Sequence, residues 1–206
     1  MDATIRFTAM MEDSDMKVVA FNGSPRKGGN TSQLLAMVCE ELQAEGIETE
    51  TVQLGGKPIR GCMACMKCFE QGGPPCVIKD DMLNDCVEKM LEADGILLGS
   101  PTYFADMTAE MKALIDRAGL TTKAGGTLLK RKVGAAVVAV RRGGAIHAFD
   151  SMNHFFQINE MMVVGSSYWN FGIGLKPGDV QSDEEGVATM HNLGKNMAWA
   201  LKKLNA

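Results

Sequence analysis

Asn22-Gly23-Ser24-Pro25-Arg26-Lys27-Gly28-Gly29-Asn30-Thr31-Ser32 reads as a strand-to-helix loop built to hold an anion. The apolar run Val18-Val19-Ala20-Phe21 precedes it, and a helical pattern from Gln33 to Glu45 follows. Where a strand ends in glycines and hydroxyls and then opens a helix, backbone N–H groups and the positive end of the helix dipole converge on one spot. Ser24, Asn30, Thr31 and Ser32 add neutral donors, and Arg26 or Lys27 adds charge. The spacing fits neither the GxGxxG dinucleotide fingerprint nor the P-loop. It suits a single terminal phosphate held mostly by hydrogen bonds. The same residues also describe a plain glycine-rich turn, with Asn30 or Thr31 as N-cap of the helix.

The chain around this loop has 206 residues, enough for one domain with a substantial core. Its 46% hydrophobic and 22% charged residues are ordinary for a globular protein. The net charge of −4, without a basic run, disfavours nucleic acid as a partner. No apolar stretch is long enough to span a membrane. Asp2, Arg6, Glu12, Asp13 and Asp15 break up any signal-peptide pattern. A cytoplasmic, reducing location follows, in which the six cysteines are thiols or metal ligands rather than disulfides. The 16 methionines read as flexible core filling.

Residues 1–15 read as an extension ahead of a domain spanning 16–206, either disordered or packed on a partner subunit. Strands are predicted at Lys17–Asn22, Ile47–Leu54, Asp94–Gly99, Val133–Val140 and Met161–Val164. Helices are predicted at Thr31–Glu45, with Gly46 as its stop, and at Asp80–Leu91, Asp106–Ala118, Ala145–Glu160 and Asp183–Leu204. Residues 55–79 and 166–182 are left as loops, the first unusually long. The alternation of strands and helices predicts an α/β fold: a doubly wound, five-stranded parallel sheet with helices on both faces. Ligands of such sheets bind at the carboxyl ends of the strands. The loop after the first strand, Pro101-Thr102-Tyr103-Phe104 after the third and Arg141-Arg142-Gly143-Gly144 after the fourth should share that edge.

These loops resemble the flavodoxin-like NADPH-dependent FMN reductase family. The resemblance rests on Gly23-Ser24-Pro25-Arg26 with Gly29-Asn30-Thr31-Ser32, on Gly99-Ser100-Pro101-Thr102-Tyr103, and on Met111-Lys112-Ala113-Leu114-Ile115-Asp116-Arg117. It runs from Lys17 to the last helix. Cys62-x2-Cys65-x2-Cys68-x7-Cys76 extends it to the iron–sulfur flavoprotein branch. The resemblance implies an FMN whose phosphate sits on Ser24, Arg26, Asn30, Thr31 and Ser32. Its ring would lie against Pro101, Thr102, Tyr103 and Phe104, with Gly143 and Gly144 admitting backbone to the pyrimidine end. Arg141 and Arg142 are either solvated charge or partners of reduced flavin or a nicotinamide phosphate.

Three cysteines at intervals of three and a fourth eight residues on resemble iron–sulfur ligation more than paired zinc knuckles. A [4Fe–4S] cluster on Cys62, Cys65, Cys68 and Cys76 is the leading assignment, with zinc or free thiols as the alternatives. Cys39 and Cys86 fall on apolar helical faces and read as core. His147 and His154 form no site on paper.

The expected function is an FMN-dependent oxidoreductase passing electrons between NAD(P)H or a ferredoxin-like donor and an acceptor. The cofactor carries the chemistry, so no side chain is assigned a catalytic role. A homodimer or homotetramer is implied by the resemblance. Two other readings remain: a non-enzymatic flavodoxin-type carrier or redox sensor, and a binding module with structural zinc.

Overall fold

In a computed structural model, which describes residues 16–205, parallel strands alternate with helices in the predicted order as far as the fifth helix. The extension expected at residues 1–15 lies outside the described residues. Strand β1 (Lys17–Asn22) is followed by α1 (Asn30–Ala44), and β2 (Glu48–Gln53) by the cysteine loop with its short helix α2 (Lys67–Glu70). Then come α3 (Leu83–Glu92), β3 (Gly95–Pro101), α4 (Ala109–Ala124), β4 (Val133–Val140) and α5 (Ala145–Ile158). Two short strands, β5 (Met162–Val163) and β6 (Phe171–Ile173), precede the final helix α6 (Glu184–Leu204).

The sheet order is β2-β1-β3-β4-β5, and every pair is parallel. This is the flavodoxin-like order, with its switch point between β1 and β3. Strands β3 and β4 are buried almost throughout, which is why they read as unbroken apolar runs. Alternate residues feed two cores. Val18, Ala20, Leu97, Ala135 and Val137 pack with α1 and α6 on one face. Val19, Phe21, Ile96, Leu98, Ala136 and Val138 pack with α3, α4 and α5 on the other. Edge strand β2 is only half-buried; its Glu50 pairs with Lys17 at 3.1 Å.

The sheet departs from the expected five strands at its far edge. Strand β5 pairs only with Val133 and Gly134, and β6 pairs with Val138 to Val140 further along the same strand. The buried side chain of Asn170 spans the interruption, donating to the Ala136 carbonyl at 2.9 Å. A strand therefore lies inside the stretch expected to be a loop. Three residues are too short to show a period, and Gly172 packs close to α1, where a Cβ would meet Leu34 Cδ2 at 2.5 Å. A further 3-10 turn occupies Asp179–Ser182.

Helix α4 starts later and ends later than expected. Thr108 is its N-cap, accepting from the Met111 N–H at 3.4 Å. The hydroxyls of Thr121 and Thr122 return to carbonyls on the preceding turn, so two β-branched residues stay helical while buried. Helix α3 begins only at Leu83, because the carboxylate of Asp81 is turned inward and accepts the Leu83 N–H at 3.2 Å. Cys39 and Cys86 are core residues as expected. Burial pushes their thiols up to about 11 and about 12 respectively. No helix among the described residues is long and apolar enough to cross a membrane.

Candidate functional site

The loops leaving β1, β3, β4 and β6 meet at the carboxyl edge of the sheet and enclose an open cleft. Of the predicted residues, Ser24, Arg26, Asn30, Thr31, Pro101, Thr102 and Tyr103 line it together. Arg141 joins them, as do Ala139, Gly174, Leu175 and Pro177. The last three were not expected. They follow β6, and the signal that places them is that unrecognised strand.

The β1 loop is fixed from beneath by side chains. Asn22 Oδ1 accepts the Ser24 N–H at 3.0 Å, and Asn22 Nδ2 donates to Gln53 Oε1 at 3.1 Å. Gln53 in turn donates to the carbonyls of Ser24 and Gly55. Ser24 Oγ accepts the Arg26 N–H at 3.2 Å, closing the first turn of the loop. Gly55 is required where it is: a Cβ there would lie 2.2–2.4 Å from the backbone of Ser24 and Pro25.

Helix α1 has no side-chain cap. Gly29 holds the N-cap position with φ −71° and ψ −178°, and no acidic residue stands in the first turn. The expected caps are otherwise engaged. Asn30 Oδ1 accepts the Gly178 N–H at 2.8 Å, tying the helix start to the loop after β6. Thr31 Oγ1 is buried and, among the described residues, has no hydrogen-bond partner. Thr102 Oγ1, across the cleft, is in the same condition. A buried hydroxyl left unpaired costs about 1–3 kcal/mol. Two on the walls of one cleft, beside an uncapped helix N-terminus, make a neutral-donor site suited to an anion.

Four predicted residues stand away from this lining. Ser32 is half-buried on the first turn of α1 and does not line the cleft. Phe104 is fully exposed, carried outward by a tight turn in which Tyr103 and Asp106 exchange backbone hydrogen bonds. Phe104 and Ala105 hold φ of 48° and 64° there, left-handed values uncommon outside glycine. Gly144, at φ 90°, gives its missing Cβ to that turn, since a Cβ would approach Ala105 Cα at 2.9 Å. It lines a second groove with Arg142, while Gly143 is exposed, with open space where a Cβ would stand.

The cysteine loop forms a separate feature. None of the six cysteines is disulfide-bonded. Cys62, Cys65, Cys68 and Cys76 border one cavity whose wall includes Arg117 of α4. Left-handed Ala64 (φ 51°) and Met66 (φ 58°) flank Cys65, turning the chain between successive thiols. Ala64 N–H lies 3.4 Å from Cys62 Sγ, a backbone donor toward sulfur. Among the described residues, no three His, Cys, Asp or Glu side chains converge closely enough for one metal ion. A tetrahedral zinc would hold thiolate sulfurs about 3.8 Å apart, from a Zn–S bond of about 2.3 Å. A polynuclear cluster keeps its ligands further apart, because several irons stand between them. The donor set itself, four cysteine sulfurs bordering one cavity with the Ala64 N–H turned toward Cys62 Sγ, has the chemistry that an iron–sulfur cluster needs. His147 Nε2 is 3.5 Å from Asp106 Oδ2 on the surface and joins neither site.

Comparison with known proteins adds independent support. Residues 16–176 match the family described as NADPH-dependent FMN reductase. An iron–sulfur flavoprotein of Methanocaldococcus jannaschii is 41% identical over 194 residues, covering 91% of this chain and 98% of the relative. An iron–sulfur flavoprotein of Methanosarcina thermophila is 35% identical over 189 residues, covering 91% and 96%. Among solved structures, RosB with bound 8-demethyl-8-formylriboflavin-5'-phosphate superposes with a TM-score of 0.72 at 18% identity, covering 92% of this chain and 80% of that one. A flavodoxin from the domain Archaea gives 0.59 at 18% identity, covering 91% and 99%. Both structures support the fold. The strand order, the β1 loop and a family match over most of the chain agree, and the chain belongs to the NADPH-dependent FMN reductase family.

Proposed function

We propose that this protein is an FMN-dependent oxidoreductase that passes electrons between NAD(P)H or a ferredoxin-type donor and an acceptor, with a [4Fe–4S] cluster at Cys62, Cys65, Cys68 and Cys76. The observation that carries the flavin is the pair of buried, unpartnered hydroxyls of Thr31 and Thr102 on the walls of one cleft. FMN, when bound, would supply both hydride and single-electron chemistry. The protein's part is to hold and orient. Ser24, Thr31 and the start of α1 would hold the phosphate, with Arg26 as its counter-charge. Pro101, Thr102 and Tyr103 would wall the ring, and Leu175 and Pro177 would exclude water from it.

The four thiols around one cavity, and the relatives named as iron–sulfur flavoproteins, support the cluster. A homodimer or homotetramer belongs to the same reading, supported by exposed Phe104, Tyr168 and Trp169. So do a cytoplasmic location and the lack of membrane and nucleic-acid partners.

The test is the visible spectrum of anaerobically purified protein before and after NADPH, together with iron and zinc analysis. Flavin bands that bleach with NADPH, plus iron, are expected. A protein that binds no flavin contradicts the reading, and zinc without iron removes the cluster from it. Flavin that takes no electrons from NADH or NADPH, but exchanges them with ferredoxin, would make the protein a carrier.

A further inference from the structure

Arg117 is the largest fully buried side chain of the chain's described residues, and it lies against the cysteine loop. Its side chain is 1% exposed, as is that of Asp81, with which its Nη1 forms an ion pair. The other contacts all go to the ends of the cysteine loop. Nη1 donates to the Arg60 carbonyl at 3.1 Å, two residues before Cys62. Nη2 donates to the Ile78 carbonyl at 3.3 Å and to Cys76 Sγ at 3.4 Å. Asp81 completes the clamp by accepting the Arg60 N–H at 2.9 Å. Asn84 of α3 holds the Cys76 backbone from the other side, through its N–H at 2.7 Å and its carbonyl at 3.0 Å. Arg117 Nε is also buried and has no acceptor among the described residues, so one donor beside the thiols is unused.

A buried ion pair is a weak source of stability, because desolvation of both charges offsets most of the attraction. Fold stability alone therefore does not explain an arginine spending its fork on two loop carbonyls and a thiol. We propose that Arg117 is a positioning residue for the iron–sulfur cluster, stapling both ends of the cysteine loop to α4 and donating an N–H to the Cys76 sulfur. The inference rests on the cluster reading above. Hydrogen bonds to ligand sulfurs and nearby positive charge both favour the reduced cluster, so Arg117 raises its potential. A lysine would keep the charge and lose the fork, because one ammonium with three donors cannot span the four acceptors that the guanidinium meets.

The test compares anaerobically prepared wild type, Arg117→Lys, and the double variant Arg117→Met with Asp81→Asn, which leaves no buried charge unpaired. Three readouts are needed: the rate of iron release to a chelator, the cluster midpoint potential followed by electron paramagnetic resonance, and the flavin potential as an internal control. The double variant is expected to release iron at least tenfold faster and to shift the cluster potential negative, with the flavin potential unmoved. Arg117→Lys is expected to release iron at an intermediate rate and to retain most of the potential. Wild-type release and potential in the double variant overturn the proposal; if that variant does not fold, wild-type release in Arg117→Lys does so. A shift of flavin and cluster together also overturns it, as a general structural effect. A wild type that takes up no iron even on reconstitution removes the cluster reading and this inference with it.

Discussion

Thr108 Oγ1 donates to the carbonyl of Gly23 at 3.0 Å, across 85 residues of sequence. Its own N–H goes to Ser100 Oγ at 3.0 Å, and the Gly23 N–H goes to the Gly99 carbonyl at 2.8 Å. The N-cap of α4, the end of β3 and the first residue of the β1 loop are thus one hydrogen-bonded unit. Nine residues along the same helix, about 14 Å at 1.5 Å per residue, Arg117 holds the cysteine loop. One rigid helix touches both candidate cofactor sites.

Thr31→Val and Thr102→Val each remove a hydroxyl with no protein partner. Each substitution should weaken FMN binding by about 1–3 kcal/mol, or roughly fivefold to 150-fold. The apo-protein should melt at the wild-type temperature or slightly above it, since no internal bond is lost. Flavin-fluorescence titration beside a thermal melt checks both parts.

Gly55→Ala and Gly46→Ala separate loop geometry from backbone strain. At Gly55 a methyl group would overlap the Ser24 and Pro25 backbone, so the β1 loop must move. A loss of about 3 kcal/mol in stability and a large fall in FMN affinity are expected. At Gly46, φ is 80° with open space around it, so the change should cost about 1–2 kcal/mol of stability and leave FMN binding alone. Equal FMN affinity in the two variants would show that the β1 loop is not the phosphate site.

Gln53→Leu tests the support beneath that loop. The variant removes the acceptor of Asn22 and the donor to the Ser24 and Gly55 carbonyls. FMN affinity should fall by about 1–2 kcal/mol, with only a small change in melting temperature, because the strand itself keeps its ladder.

Asp81 predicts an acid dependence. Burial raises its pKa, but the Arg117 guanidinium and the N–H groups of Arg60 and Leu83 outweigh that and hold it low. A carboxylate with a depressed folded pKa contributes stability above its unfolded value, about 3.9, and loses it as pH falls through the folded value. Asp81→Asn should therefore cost about 3 kcal/mol at pH 7, from the unpaired arginine. The gap to wild type should close below about pH 4. Urea unfolding at pH 7 and pH 3 measures it; a gap that widens in acid would contradict the assignment.

The parts of this protein that were readable in its sequence are those with a period. Buried β1, β3 and β4 are unbroken apolar runs, and α1 and α6 repeat apolar residues at helical spacing, so the doubly wound sheet followed directly. The β1 loop was legible because glycines and hydroxyls between a strand and a helix have few other uses. What failed to show were features made by distant partners. Strand β6 is three residues long and depends on Asn170 bridging to Ala136. Gln53 supports the phosphate loop from an edge strand where any polar residue would look solvated. Arg117 entered the reading only as the last residue of a stretch that resembles the family, and only the fold reveals that Asp81, Arg60 and Cys76 surround it. Phe104 pointed the other way: an aromatic in an exit loop looked like a ring wall, and a left-handed turn carries it into solvent.

The most direct test of the central claim is titration of flavin-free protein with FMN and with riboflavin, which share the ring and differ in the phosphate. FMN should bind at least a hundredfold more tightly, and most of that preference should vanish in Thr31→Val. Equal affinity for the two ligands, or a preference untouched by Thr31→Val, would contradict the assignment of Asn22–Ser32 as the phosphate cradle.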